Sequence, residues 1–147
     1  ELLNLKLEDL FMVGFSQGTM VSIQYAIGQQ KEIAGVLGYS GKIFNYDLFN
    51  KQLKSKPKIK FLHGNIDEIV PVEEMFKAVD FLKLKKFNVD FRVYDNLKHA
   101  ISPAGLSDGL NFEELSPRGH RRGASECQMK QGSFPSLSNI LEVELRV

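Results

Sequence analysis

Three residues in this sequence have the types that acyl transfer needs: Ser16, Asp67 and His99. Ser16 lies in Gly14-Phe15-Ser16-Gln17-Gly18, directly after the apolar run of residues 10–15. A serine hydroxyl is a weak nucleophile until a neighbouring base takes its proton. A histidine supplies that base, and a carboxylate orients the histidine and stabilises its cation. A serine on a sharp strand-to-helix turn stands clear of the sheet. The next N–H, that of Gln17, then opens a helix and is free to donate to an oxyanion. The residues two before and two after the serine are expected to be small, because their Cβ atoms would collide as the chain folds back. Both are glycine. Chance places such a pattern in about 5% of chains of this length. The context therefore carries the argument; the alternative is a glycine turn with an idle serine.

Asp67 lies in Phe-Leu-His-Gly-Asn-Ile-Asp-Glu-Ile-Val-Pro, residues 61–71. The strand reading ends at His63-Gly64, so Asp67 falls past a strand's C-terminal end, where open α/β sheets place their chemistry. The alternative role for Asp67 is to cap the helix that follows. His63, at the strand end itself, is read as structural. His99 follows the fourth strand by a few residues and reaches the same edge. Alone, it would be an ordinary surface histidine. Together, the order Ser16, Asp67, His99 is the Ser…Asp…His order of α/β-hydrolases. His120 falls in the tail and is given no role.

The elements needed to position these residues are legible. Residues 10–15, 33–40 and 58–64 are short apolar runs, as expected for parallel strands covered on both faces. Residues 89–94 alternate, which reads as a half-exposed strand near an edge. Residues 18–30 place Met20, Val21, Ile23, Ala26 and Ile27 as a largely buried helix ending near Gly28. Residues 72–87 carry a stripe of Met75, Val79, Leu82 and Phe87, with Pro71 just ahead. One or two helical turns are expected within 41–57, and a last helix within 103–115. Strand–helix alternation predicts an α/β fold with a mainly parallel sheet of about four strands.

The 147 residues are 43% hydrophobic and 25% charged, with net charge +1, which suits a globular domain rather than a nucleic-acid surface. No apolar run reaches the roughly 18 residues of a membrane helix. No basic-then-apolar leader is visible, so stable membrane insertion is not expected. One cysteine allows no internal disulfide and no Cys cluster for zinc, and a cytoplasmic location is the default. The lysines of 54–60 and 83–86 read as solvated faces. From Ser116 the periodicity fades, so residues 1–115 are read as the domain and 116–147 as a loop-like or disordered tail.

The stretches Val-Gly-Phe-Ser-Gln-Gly-Thr-Met, Ile-Ala-Gly-Val-Leu-Gly-Tyr-Ser-Gly, Phe-Leu-His-Gly-Asn-Ile-Asp-Glu-Ile-Val-Pro and His-Ala-Ile-Ser-Pro-Ala-Gly-Leu resemble the phospholipase/carboxylesterase family of α/β-hydrolases, which includes the acyl-protein thioesterases. The resemblance runs from about residue 3 to residue 112. It implies Ser16 as nucleophile, Asp67 as acid, His99 as base and the Gln17 N–H as one oxyanion donor. It also implies a small ester or acylated substrate, with no metal or organic cofactor. Family members extend further at the N-terminus, where earlier strands carry a second oxyanion donor. The chain is thus expected to hold the C-terminal half of the fold, without the N-terminal strands. Two alternatives stay open: a catalytically impaired fragment of such an enzyme, and a peptidase of the same fold.

Overall fold

The computed structural model describes residues 6–114. Four strands, β1 (Phe11–Phe15), β2 (Gly35–Tyr39), β3 (Ile59–Gly64) and β4 (Val89–Tyr94), form one sheet in the order β1-β2-β3-β4. Every neighbouring pair is parallel, with Phe15 opposite Tyr39, Tyr39 opposite Leu62 and Gly64 opposite Tyr94. The C-terminal ends of all four strands therefore share one edge. The connecting helices are α1 (Gln17–Ile27), α2 (Tyr46–Gln52) and α3 (Val72–Leu84), and α4 (Pro103–Glu114) follows β4. Both outer strands of the described sheet are partly uncovered: β1 exposes Val13 and Phe15, against the expectation of cover on both faces, and β4 is half-exposed as expected but leaves Phe91 of its apolar face exposed.

Two apolar layers hold the sheet. On one face, Ile23 and Ile27 of α1, Phe49 of α2, and Met75, Val79 and Leu82 of α3 pack on Val36, Ile59 and Phe61. On the other, Phe112 of α4 packs on Leu37, Tyr39 and Leu62. Polar clamps fix α4 to the sheet. The Tyr39 hydroxyl donates to the Gly105 carbonyl, and the Tyr94 hydroxyl and Arg92 guanidinium both reach Asp108. Burial and the Asp108 carboxylate raise the Tyr94 phenol, which keeps it a donor. At Gly109 a Cβ would run into the Tyr39 hydroxyl, so the helix approaches as closely as a glycine allows.

Helix α1 differs from the sequence reading. Val21 is 60% exposed, whereas Thr19 and Ser22 are buried with Ile23, Ala26 and Ile27. The reason lies in the sheet. Cβ atoms on Gly38 or Gly41 would strike the Thr19 side chain, so these glycines leave a slot that only a small side chain fills. The buried stripe is therefore rotated away from Val21. Pro71 sits at the N-cap of α3, just ahead of the helix as expected. The boundary at residue 115, the tail 116–147 and His120 lie outside the described residues.

Candidate active site

Ser16 joins β1 to α1 with φ 53° and ψ −117°, a left-handed conformation that side chains rarely adopt. Such strain costs about 1–3 kcal/mol and persists only where surrounding bonds impose it. Here the Ser16 N–H donates to the Tyr39 carbonyl at 2.8 Å, and the Thr19 N–H to the Ser16 carbonyl at 3.1 Å. The buried Thr19 hydroxyl is shared between the Gly14 and Tyr39 carbonyls, at 2.8 and 3.0 Å. Gly14 is obligatory, since its Cβ would enter the backbone of Gly18 and Thr19. Gly18 corrects the expectation of symmetry: a Cβ there meets nothing within 4 Å outside its own helical turn. Gln17 opens α1, so its N–H is one of the first-turn amides that the helix itself does not use.

Asp67 and His99 are brought together. The His99 Nδ1–H donates to Asp67 Oδ2 at 2.8 Å. Asp67 Oδ1 accepts from the Ile69 and Val70 N–H groups at 3.0 and 2.9 Å. Asp67 thus shapes the loop ahead of α3 while facing the histidine, but it does not cap the helix: α3 starts at Val72, its N-cap is Pro71, and no side chain caps it. The alignment depends on a latch between the two loops. The Asn65 N–H donates to the Tyr94 carbonyl, its amide Nδ2 to Asp95, and its Oδ1 accepts from the Asn96 N–H at 2.8 Å. Asn96 itself takes a positive φ of 55°. Gly64 lets β3 end against the Leu97 and Lys98 carbonyls, where a Cβ would clash.

The Phe15 ring lies 4.7 Å from the His99 ring, tilted by 51°, and so sets the imidazole against the elbow. The Ser16 side chain makes no cap hydrogen bond to its own helix and stays available. Bonds from a nucleophile to its base often tighten only with substrate present. Sequence reasoning missed Phe15, Thr19 and Asn65. The variable position inside Gly-x-Ser-x-Gly was the one available hint for Phe15. Phe49 is in the core, while Phe44 is 68% exposed. With Gln17, Met20, Val21 and Tyr25, Phe44 lines an apolar groove of about 370 Å³ that begins beside the elbow.

Burial pushes the Asp67 carboxyl up, but the bonds from Val70, His99 and Ile69 outweigh it and leave it below the ordinary value of 3.8. Burial lowers His63 from 6.5, against the opposing pull of the Val70 carbonyl and Asp67. His63 is therefore neutral at pH 7, and its contact with Asp67 is not an ion pair. Both shifts make the unfolded chain bind more protons in acid, so both contributions to stability fall with pH. The His63 contribution begins to be lost below pH 6.5 and that of Asp67 below 3.8. Thermal melts between pH 7 and 3 should show two descending stages. His63→Gln should remove the upper one and keep the lower.

Among the described residues no helix is long and apolar enough to cross a membrane, and no group of three His, Cys, Asp or Glu could hold a metal ion.

Comparison with known proteins adds an independent line. A sequence model of the phospholipase/carboxylesterase family matches residues 3–116. The chain is 33% identical over 106 residues to acyl-protein thioesterase 1 of Yarrowia lipolytica, covering 69% of this chain and 47% of that protein. It is 29% identical over 98 residues to a probable inactive carboxylesterase of Oryza sativa, covering 64% and 40%. The crystal structure of esterase PE8 superposes with a TM-score of 0.73 at 25% identity, over 76% of this chain and 52% of the other. That of Arabidopsis thaliana SOBER1 does so with 0.71 at 25%, over 76% and 54%. The chain spans about half the length of the curated relatives it matches.

Proposed function

The chain belongs to the phospholipase/carboxylesterase family and has its α/β-hydrolase fold, and on that premise we propose that it carries the Ser16–His99–Asp67 machinery of a hydrolase of carboxylic esters or acyl thioesters. The observation that carries this reading is the 2.8 Å bond from His99 Nδ1 to the buried Asp67, with the same imidazole packed on Phe15 of the elbow.

With Nδ1–H committed to Asp67, the Nε2 lone pair of His99 is the free base. It takes the Ser16 proton as Oγ bonds to the carbonyl carbon, and the carbonyl π pair moves onto oxygen. The Gln17 N–H is placed to donate to that oxyanion. As the carbonyl re-forms, the bond to the alkoxide or thiolate breaks, and the leaving group departs with the proton from His99. Water, deprotonated by His99, then attacks the acyl-serine, and the protonated base returns a proton to Ser16 as the acid leaves. The apolar groove beginning at Gln17 offers an acyl chain a surface to lie on. Faster turnover of longer-chain than of acetyl p-nitrophenyl esters would read that contact.

The test is labelling by a fluorophosphonate, which phosphonylates an activated serine hydroxyl. The chain should be labelled at Ser16, and Ser16→Ala should abolish labelling. A well-folded chain that stays unlabelled overturns the reading. A second reading is favoured by the similarity to a probable inactive carboxylesterase: the triad is retained but turnover is impaired. Labelling at Ser16 without ester turnover above background would decide for it. Faster cleavage of peptide amides than of esters would instead favour a peptidase.

A further inference from the structure

His63 lies on β3, buried to 1% exposure, four residues ahead of the acid. Its Nε2 is 2.8 Å from the Val70 carbonyl oxygen and 3.4 Å from Asp67 Oδ2. Both neighbours are acceptors, so Nε2 must carry the proton. Among the described residues, Nδ1 is buried without a hydrogen-bond partner. A buried N–H with no acceptor is costly, so this nitrogen stays unprotonated. One tautomer alone, Nε2–H, fits the site.

We propose that His63 is a positioning residue for the Asp67–His99 pair. Its single N–H, bonded to the Val70 carbonyl and facing Asp67 Oδ2, fixes the carboxylate that orients His99. This inference rests on the assignment of Asp67 and His99 as acid and base.

The connectivity supports it. An ionised carboxylate has about four lone-pair sites. On Asp67, Oδ1 takes the Ile69 and Val70 amides, and Oδ2 faces His99 and His63. Val70 is held from both ends, its N–H by Asp67 and its carbonyl by His63. His63 thus closes a ring around the turn and anchors it to the rigid strand β3. Without the N–H, the Val70 carbonyl loses its donor and Oδ2 loses the positive edge opposite His99. The turn that carries the carboxylate is then no longer tied to β3, and Asp67 keeps only its two amide bonds to hold it against the imidazole.

The experiment combines imidazole ¹⁵N–¹H correlation spectra of the full 147-residue chain with rates of fluorophosphonate labelling. At pH 7, His63 should show the neutral Nε2–H pattern, and the His99 Nδ1–H should appear as a protected low-field resonance. His63→Phe keeps the ring's bulk without the N–H. It should move or broaden the His99 resonance in folded protein and slow labelling by about 100-fold, as expected for an ångström-scale misplacement. His63→Gln, which keeps a donor near the Nε2 position, should restore the resonance and most of the rate. The proposal is overturned by an Nδ1–H tautomer at His63. It is equally overturned if His63→Phe leaves the His99 resonance unchanged, or if His63→Gln is as impaired as His63→Phe. If His63→Phe does not fold, the wild-type tautomer and the His63→Gln rate decide. If wild type is not labelled at all, the hydrolase reading fails, while the His99 resonance in these variants still decides whether His63 positions Asp67.

Discussion

Asp67→Asn should slow fluorophosphonate labelling of Ser16 by about 10⁴-fold while leaving the fold in place. The asparagine Oδ1 can still accept from the Ile69 and Val70 N–H groups, so the turn into α3 keeps its two amide bonds. Its amide Nδ2, however, would stand where Oδ2 now receives the His99 Nδ1–H. Two donors cannot face each other. His99 would switch to the tautomer with Nδ1 as acceptor, and Nε2 would then carry a proton. On the proposed mechanism, the atom that receives the Ser16 proton would be blocked. A stopped-time labelling assay with circular dichroism on the same samples separates this from unfolding. Equal labelling of wild type and variant would show that Asp67 serves the turn alone.

Gly14→Ala should lower the melting temperature by roughly 10–13 °C, the equivalent of about 3 kcal/mol in a domain of this size. The new Cβ would enter the backbone of Gly18 and Thr19 rather than the end of a flexible side chain. Relief would require α1 to lift away from β1, which breaks the Thr19 hydroxyl bonds to Gly14 and Tyr39. The strained Ser16 would then relax, and labelling would be lost with the elbow. Gly18→Ala is the control. It meets open space and removes a glycine from a helix, so its stability should stay within about 1 kcal/mol of wild type. Equal melting temperatures for the two variants would refute the asymmetry.

The strands were legible because each inner one is a short apolar run, and such a run is what a strand covered on both faces needs. The helix register of α1 was not. Pattern counting treats Val21 as core, yet the slot made by Gly38 and Gly41 buries Thr19 and leaves Val21 exposed. Those glycines are distant in sequence from Thr19, so no local periodicity could signal it. The same limit hid Phe15. A residue between glycine and serine shows its contact with His99 only once β4 has returned to the same edge.

From residue types and order alone come the serine on a turn, the carboxylate and histidine each just past a strand, and the parallel α/β plan. The physical reason is that parallel strands all end at one edge, so residues following them converge whatever the intervening chain. Convergence to within a hydrogen bond is a different matter. The 2.8 Å contact from His99 to Asp67 depends on Asn65 bridging the two loops, on Gly64 allowing their close approach, and on His63 beneath the acid. Most of these interactions join groups about 30 residues apart, and the His63 bond spans seven, with angular tolerances that no spacing in the chain encodes. Only the packed tertiary structure sets them.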